Sequence, residues 1–204
     1  MSTEHYFSED PQSSLKRTPH TLTLRDHTVT VQSASGTFSP DRLDAGTAVL
    51  LKYAPQPPST GHFLDLGCGW GPLALALALE SPEATVWGVD VNERALDAAR
   101  DNAESIGLPN VTITTPDGVP DDLLFDLIWS NPPIRIGKKE LHALLSRWLP
   151  RLAPEGEAWL VVAKKLGSDS LQEWINGGEP GNFEASRYET AKGYRVIRVV
   201  RRSS

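Results

Sequence analysis

The sequence predicts a doubly wound α/β fold. Its sheet has seven strands, mostly parallel with the last running against the others, and a β-hairpin and helix precede it. Three observations carry this. Strand-like and helix-like stretches alternate from Phe63 onward, which calls for a mostly parallel sheet covered on both faces. Residues Phe63 to Leu79 run from a short apolar strand through three glycines at alternate positions (Gly67, Gly69, Gly71) into an Ala/Leu helix. The last two strands are joined by a turn too short for a crossover, so they must pair antiparallel.

Met1 to Pro19 is polar and without apolar period, and reads as a loose arm over residues 1–19. Leu22, Leu24, Val29 and Val31 alternate around Arg25-Asp26-His27, the pattern of a hairpin beginning at His20. Gly36 to Pro40 is a loop. Asp41 or Asp44 is placed to cap a helix carrying Leu43, Val49, Leu50 and Tyr53, and the proline-rich Pro55–Gly61 ends it. Residues 20–60 thus precede a core of 61–200 within one domain of 1–204. In that core, strands are expected at Phe63–Asp65, Ala84–Asp90, Val111–Thr115, Leu124–Ser130, Ala158–Ala163, Phe183–Tyr188 and Tyr194–Val200. Helices are expected at Leu73–Leu79, Glu93–Ile106, Glu140–Leu152 and Ser168–Ile175, the third stopped by Pro154 and Gly156.

Composition narrows the function classes. A net charge of −6 and a pI near 5.4 disfavour a constitutive nucleic-acid binder, so any RNA must be met by a local basic patch. One cysteine, Cys68, permits no internal disulfide and fits a reducing cytosol; it reads as a small residue suited to the loop. No signal peptide and no membrane-spanning run is visible, and no metal-ligand cluster.

The glycine turn before a helix is how α/β proteins hold a nucleotide-like cofactor. Asp65 decides which one. A pyrophosphate at this helix start would face a carboxylate two residues before Gly67, and like charges in a partly dry site repel. A cationic ligand is favoured there. S-adenosylmethionine brings a sulfonium and an ammonium and has no phosphate. Asp90 follows the glycines by about 20 residues, the spacing at which an acid grips ribose hydroxyls. The alternative is a capping box with Glu93, and both hold if Asn92 is the cap. Asp117-Gly118 follows the third core strand, in a Thr115-Pro116-Asp117-Gly118 stretch that reads as a plain turn. Asn131-Pro132-Pro133 ends the fourth strand. Two prolines stiffen the backbone and remove donors, leaving the Asn131 oxygen and the Pro132 carbonyl to accept the two N–H groups of an exocyclic amine.

Asp65-x-Gly67-x-Gly69-x-Gly71 resembles the first motif of the class I methyltransferases, whose Rossmann-like sheet ends in an antiparallel strand. Ser130 to Lys138 (Ser-Asn-Pro-Pro-Ile-Arg-Ile-Gly-Lys), Lys192 to Val196 and His5-Tyr6-Phe7-Ser8 narrow this to a likeness with the methyltransferase small-domain family. The resemblance implies ribosomal RNA guanine-N2 methylation. It also implies cofactor contacts at Phe38, Thr47, Asp65, Gly67, Cys68, Gly69, Gly71, Asp90, Val91, Asp117, Gly118 and Asn131, with Asp117 facing the adenine amino group as the alternative to a plain turn, and Asn131, Pro132 and Pro133 at the chemistry. Two departures stand out. Ile134 replaces the aromatic residue found after Asn-Pro-Pro in adenine-N6 and glutamine-N5 enzymes, and the second, degenerate domain copy of some guanine-N2 members is not visible.

In a parallel sheet, Arg135, Lys138, Lys139, Lys164, Lys165 and Lys192 converge on one edge, as a substrate RNA or a ribosomal subunit would require. The sequence-based reading is therefore a cytosolic S-adenosylmethionine-dependent N-methyltransferase. Its rivals are a small-molecule or protein amine as substrate, and a non-catalytic cofactor-binding assembly module.

Overall fold

A computed structural model describes residues 17–34, 43–133 and 137–202 of the chain. The amino-terminal hairpin pairs β1 (Arg17–Leu24) with β2 (His27–Ala34), starting three residues earlier than the alternation of apolar residues suggests. The first residues of β1 are polar, so hydrophobic period alone leaves them in the arm. Arg25, at positive φ in the hairpin turn, donates to the Leu51 and Ala54 carbonyls at the end of α1 (Ala45–Tyr53). It also pairs with Glu80 at the end of α2 (Pro72–Glu80). The hairpin is thereby fixed to two helix carboxyl ends, where a cation meets favourable dipoles.

The main sheet comprises β3 (His62–Leu66), β4 (Thr85–Val89), β5 (Val111–Thr114), β6 (Phe125–Ser130), β7 (Leu152–Ala163), β8 (Phe183–Ala191) and β9 (Tyr194–Arg201). Their spatial order is β5-β4-β3-β6-β7-β9-β8. All run parallel except β9, which lies antiparallel between β7 and β8. The remaining helices are α3 (Glu93–Ile106), α4 (Lys138–Trp148) and α5 (Ser168–Asn176).

Side chains alternate across the sheet, so each strand feeds two cores. Phe63, Trp129, Trp159 and Val196 pack with α1, α2 and α3, whereas Leu64, Ile128, Leu160 and Ile197 pack with α4 and α5. α2 is buried almost all round, which explains a sequence of alternating Leu and Ala with no polar face. One sequence expectation fails between α4 and β7. Pro154 and Gly156 lie inside β7, not at a helix end, in a bulged stretch where pairing with β6 skips from Leu152 to Glu157. The bulge accommodates a proline that a regular central strand would exclude.

From β3 the chain winds outward to β4 and β5, then returns across the sheet to β6 on the other flank of β3. The order reverses between β3 and β6, the switch point at which a doubly wound sheet leaves a crevice at the carboxyl ends of its strands. Leu66-Gly67 and Ser130-Asn131 stand at that crevice. The Ser130 hydroxyl, fully buried, donates to the Leu66 carbonyl at 2.7 Å and ties the two strand ends together.

Candidate functional site

Gly67, Gly69 and Gly71 all have positive φ (75°, 56° and 92°), so the loop from β3 to α2 curls in a way that L side chains resist. The Gly67 and Cys68 N–H groups donate to the Val89 carbonyl at 2.8 and 3.0 Å, hooking the loop onto the end of β4. A Cβ on Gly69 would meet nothing within 4 Å, so bare backbone faces open space there. Gly71 is needed for packing instead, since a Cβ there would lie 3.2 Å from that of Ala99 on α3. Cys68 is buried, burial pushes its thiol well above the usual range, and it fills the space over Gly88.

Asp65 is 1% exposed on the α2 face of β3. One carboxylate oxygen accepts the Ala74 N–H at 2.8 Å, while Oδ1 is buried without a partner. Burial pushes its pKa up to about 7 against the lowering effect of the Ala74 bond, with the charge of Asp90 adding to the rise. A buried carboxylate oxygen with no donor is what a cationic group in the crevice would complete.

Asp90 ends β4 half-buried, with Oδ2 on the Gly69 N–H and Oδ1 on the Asn92 N–H, both at 2.9 Å. Asn92, not Asp90, caps α3 by accepting from the Arg94 N–H. The capping-box alternative is therefore taken up by Asn92, and the Asp90 carboxylate retains acceptor capacity toward the crevice. Val91 follows, 82% exposed beside it. Asp117 stands apart. Its carboxylate is 91% exposed and paired with Arg147 of α4 at 3.0 Å. Gly118 is fixed by its turn, where a Cβ would collide with the Thr114 hydroxyl.

The Asn131-Pro132-Pro133 stretch meets the glycine loop at Pro133, whose ring lies 3.7 Å from where a Gly67 Cβ would be. Pro132 is buried and Pro133 exposed. Asn131 Nδ2 donates to Asp44 Oδ1 at 2.6 Å and to Thr47 Oγ1 at 3.1 Å, both on the first turn of α1. The amide nitrogen is thus committed to a carboxylate, and Oδ1 is left as the free end. Thr47, 5% exposed, is spent on holding Asn131. The sequence marks Asp44 as a cap, and the one sign of this second duty is Gly46, a poor residue for a first helical turn unless something must come close.

Lys138, Lys139, Lys164, Lys165 and Lys192 are exposed on the carboxyl edge of the sheet, and none forms an ion pair among the described residues. The Lys164 N–H donates to the Gly193 carbonyl, which joins the β7 end to the β8–β9 turn. Phe38 and Arg135 lie outside the described residues. Among the described residues no group of three metal-ligating side chains occurs, and no helix is long and apolar enough to cross a membrane.

The family model for the methyltransferase small domain matches residues 28–197. The chain belongs to the methyltransferase small domain family. It is 37% identical over 199 residues to YbxB of Bacillus subtilis, covering 96% of this chain and 98% of that one. With ribosomal RNA small subunit methyltransferase C of Pseudomonas entomophila it shares 37% over 186 residues, 88% of this chain but 53% of the relative. The chain thus spans about half the length of that relative.

The fold matches that of the T. thermophilus 16S rRNA N2 methyltransferase RsmC, solved with AdoMet and guanosine. The TM-score is 0.74 and the identity 23%, over 91% of this chain and 51% of that one. A ribosomal protein L11 methylase from Lactobacillus delbrueckii aligns with a TM-score of 0.64 and 19% identity, over 90% of this chain and all of that one. Members of this family take their methyl group from S-adenosylmethionine. The crevice fits that cofactor, with bare backbone at Gly69, a donor-less buried oxygen on Asp65 and spare acceptor capacity on Asp90.

Proposed function

We propose that this S-adenosylmethionine-dependent methyltransferase acts on an exocyclic amine, guanine N2 of ribosomal RNA. The observation that carries the reading is the fixed Asn131 carboxamide just past the end of β6, its nitrogen bound to Asp44 and Thr47 and its oxygen left without a donor among the described residues. When bound, the cofactor supplies an electrophilic methyl group on a sulfonium.

Asp65 and the glycine backbone would hold the methionine end and Asp90 would accept from the ribose diol, with Val91 and Gly118 beside the adenine. Asp117 would meet the adenine amino group at the expense of its pair with Arg147, an exposed pair that contributes at most about 1 kcal/mol. Asn131 Oδ1 and the Pro132 carbonyl accept the two amine N–H groups. This returns electron density to a nitrogen whose lone pair is otherwise delocalised into the base, and aims it across the crevice. Pro133 keeps that stretch rigid. Positioning and charge stabilisation of this kind suffice for an already activated methyl donor. The five exposed lysines, with Arg135, carry the RNA backbone. The cytosol, where ribosomal subunits are found, is the compartment this reading implies.

The experiment is transfer of tritiated methyl from S-adenosylmethionine to naked ribosomal RNA and to ribosomal subunits, followed by nucleoside identification. N2-methylguanosine is expected. Label only in protein or small molecules overturns the RNA substrate, and no label in any acceptor overturns the enzyme reading.

A further inference from the structure

We propose that Asp44 is a positioning residue for the reaction, holding and polarising the Asn131 carboxamide from outside the crevice. This rests on Asn131 being the acceptor for the substrate amine. Asp44 belongs to α1, outside the strands that shape the crevice, and its obvious duty is to cap that helix. Its Oδ1 accepts the Gly46 N–H at 2.8 Å and the Thr47 N–H at 3.3 Å, as an N-cap should. The same oxygen accepts Asn131 Nδ2 at 2.6 Å, across 87 residues of sequence. This is the shortest of the three bonds, and a carboxylate acceptor makes it charge-assisted.

Three consequences follow from that bond. An amide side chain can be turned end for end, and only a carboxylate on one side decides which end faces the substrate. Asp44 makes the oxygen the free end, and an oxygen is what two amine hydrogens need. Hydrogen bonds in a chain also polarise one another, so negative charge behind the NH₂ group enriches the oxygen in front of it. Finally, the nitrogen that gives up its lone pair grows more positive, and an enriched acceptor favours that state over the resting amine. Thr47 Oγ1 steadies the same NH₂ group at 3.1 Å.

Gly46 makes room for this contact. A Cβ there would lie 3.0 Å from Asn131 Oδ1, 3.0 Å from Asp44 Oδ1 and 3.0 Å from Tyr194 Cε1. Glycine in a helical first turn costs stability relative to alanine. Here it lets the start of α1 close onto Asn131.

The test separates positioning from capping. Asp44→Ser keeps a good cap but its hydroxyl is too short to reach Asn131, so α1 and the melting temperature survive. The single-turnover rate at saturating substrate should fall about tenfold with KM little changed. Asn131→Asp alone sets two carboxylates against each other and should lower the rate further. Combined with Asp44→Asn it restores a carboxamide-to-carboxylate bond in the reverse sense, and the double variant should regain at least tenfold over Asn131→Asp.

A readout without turnover is the pair of Asn131 side-chain N–H signals in NMR, which should shift in Asp44→Ser. A wild-type rate in Asp44→Ser, unmoved signals, or a double variant no faster than Asn131→Asp overturns the inference. Wild-type protein that methylates no amine overturns the functional reading instead.

Discussion

Asp90 and Gly69 are bound to each other, the carboxylate Oδ2 accepting the Gly69 N–H at 2.9 Å. The acid at the end of β4 therefore shapes the glycine loop as well as facing the crevice, and its other oxygen holds the Asn92 N–H at the start of α3. One carboxylate thus joins the loop, the strand end and the helix start. Asp90→Ala should weaken S-adenosylmethionine binding by about 1.5–3 kcal/mol through lost charge-assisted bonds. Asp90→Asn, which can keep the Gly69 bond, should lose less. Calorimetric titration of the two variants distinguishes these outcomes, and unchanged affinity in a folded Asp90→Ala would assign the residue to loop structure alone.

Asp65 makes the protein's stability depend on pH in an unusual direction. Burial pushes its pKa up to about 7, above the ordinary carboxylate value of about 3.8, so between those values the folded state binds more protons than the unfolded one. Stability contributed by the protonated carboxyl is complete below about pH 4 and is lost as pH rises toward 7, by up to about 4 kcal/mol. Asp65→Asn should flatten that dependence, and urea unfolding at pH 5.5 and 8 of both proteins measures it. A cationic ligand favours the ionised form, so cofactor binding near neutral pH should release a proton. Titrations in buffers of different ionisation enthalpy detect the release.

Asn131→Ala should leave cofactor affinity within a few-fold and remove most of the single-turnover rate, because it deletes an acceptor and not a wall of the crevice. Rapid-quench measurement with saturating cofactor tests this. A wild-type rate would move the chemistry away from Asn131.

The strands and the glycine loop were legible because each signal is local. Phe125–Ser130 is an apolar run closed by two prolines, and Glu93–Ile106 has an apolar stripe, an Asn cap and a glycine at its end. The contacts that set side-chain roles are not local. Asn131 meets Asp44 across 87 residues, and Asp117 meets Arg147 across 30. No period or spacing encodes either pair, because both depend on how α1 and α4 settle on the sheet. Pro154 misled for a related reason. Proline reads as a breaker unless the bulge that shelters it is known, and the bulge exists only where β7 pairs with β6.

Asn102 shows how the hairpin is coupled to the site. It is fully buried on α3, its Oδ1 accepting the Gln32 N–H of β2 at 2.7 Å and its Nδ2 donating to the Trp70 carbonyl within the glycine loop. Asn102→Leu should cost about 1–3 kcal/mol, since it leaves a strand N–H and a loop carbonyl without partners. Urea unfolding gives the loss. A change within about 0.5 kcal/mol would mean that the hairpin shifts to find water at little cost.

The basic edge decides whether an acidic chain holds RNA. Arg187 and Arg195 both pair with Asp169, so they are poorer phosphate ligands than an unpaired cation. The lysines at 138, 139, 164, 165 and 192 have no ion-pair partner among the described residues and stand on the edge that carries Asn131. Each phosphate they neutralise releases counterions, so binding should weaken steeply as salt rises. Reversing charge at two of them, Lys138→Glu with Lys164→Glu, should raise the apparent KM for RNA and flatten the salt dependence by about two phosphate contacts. Neither lysine is a hydrogen-bond partner of Asp65, Asp90 or Asn131, so affinity for S-adenosylmethionine should hold. A double variant that methylates RNA with the wild-type salt slope would make the lysines incidental and move a small-molecule amine to the front.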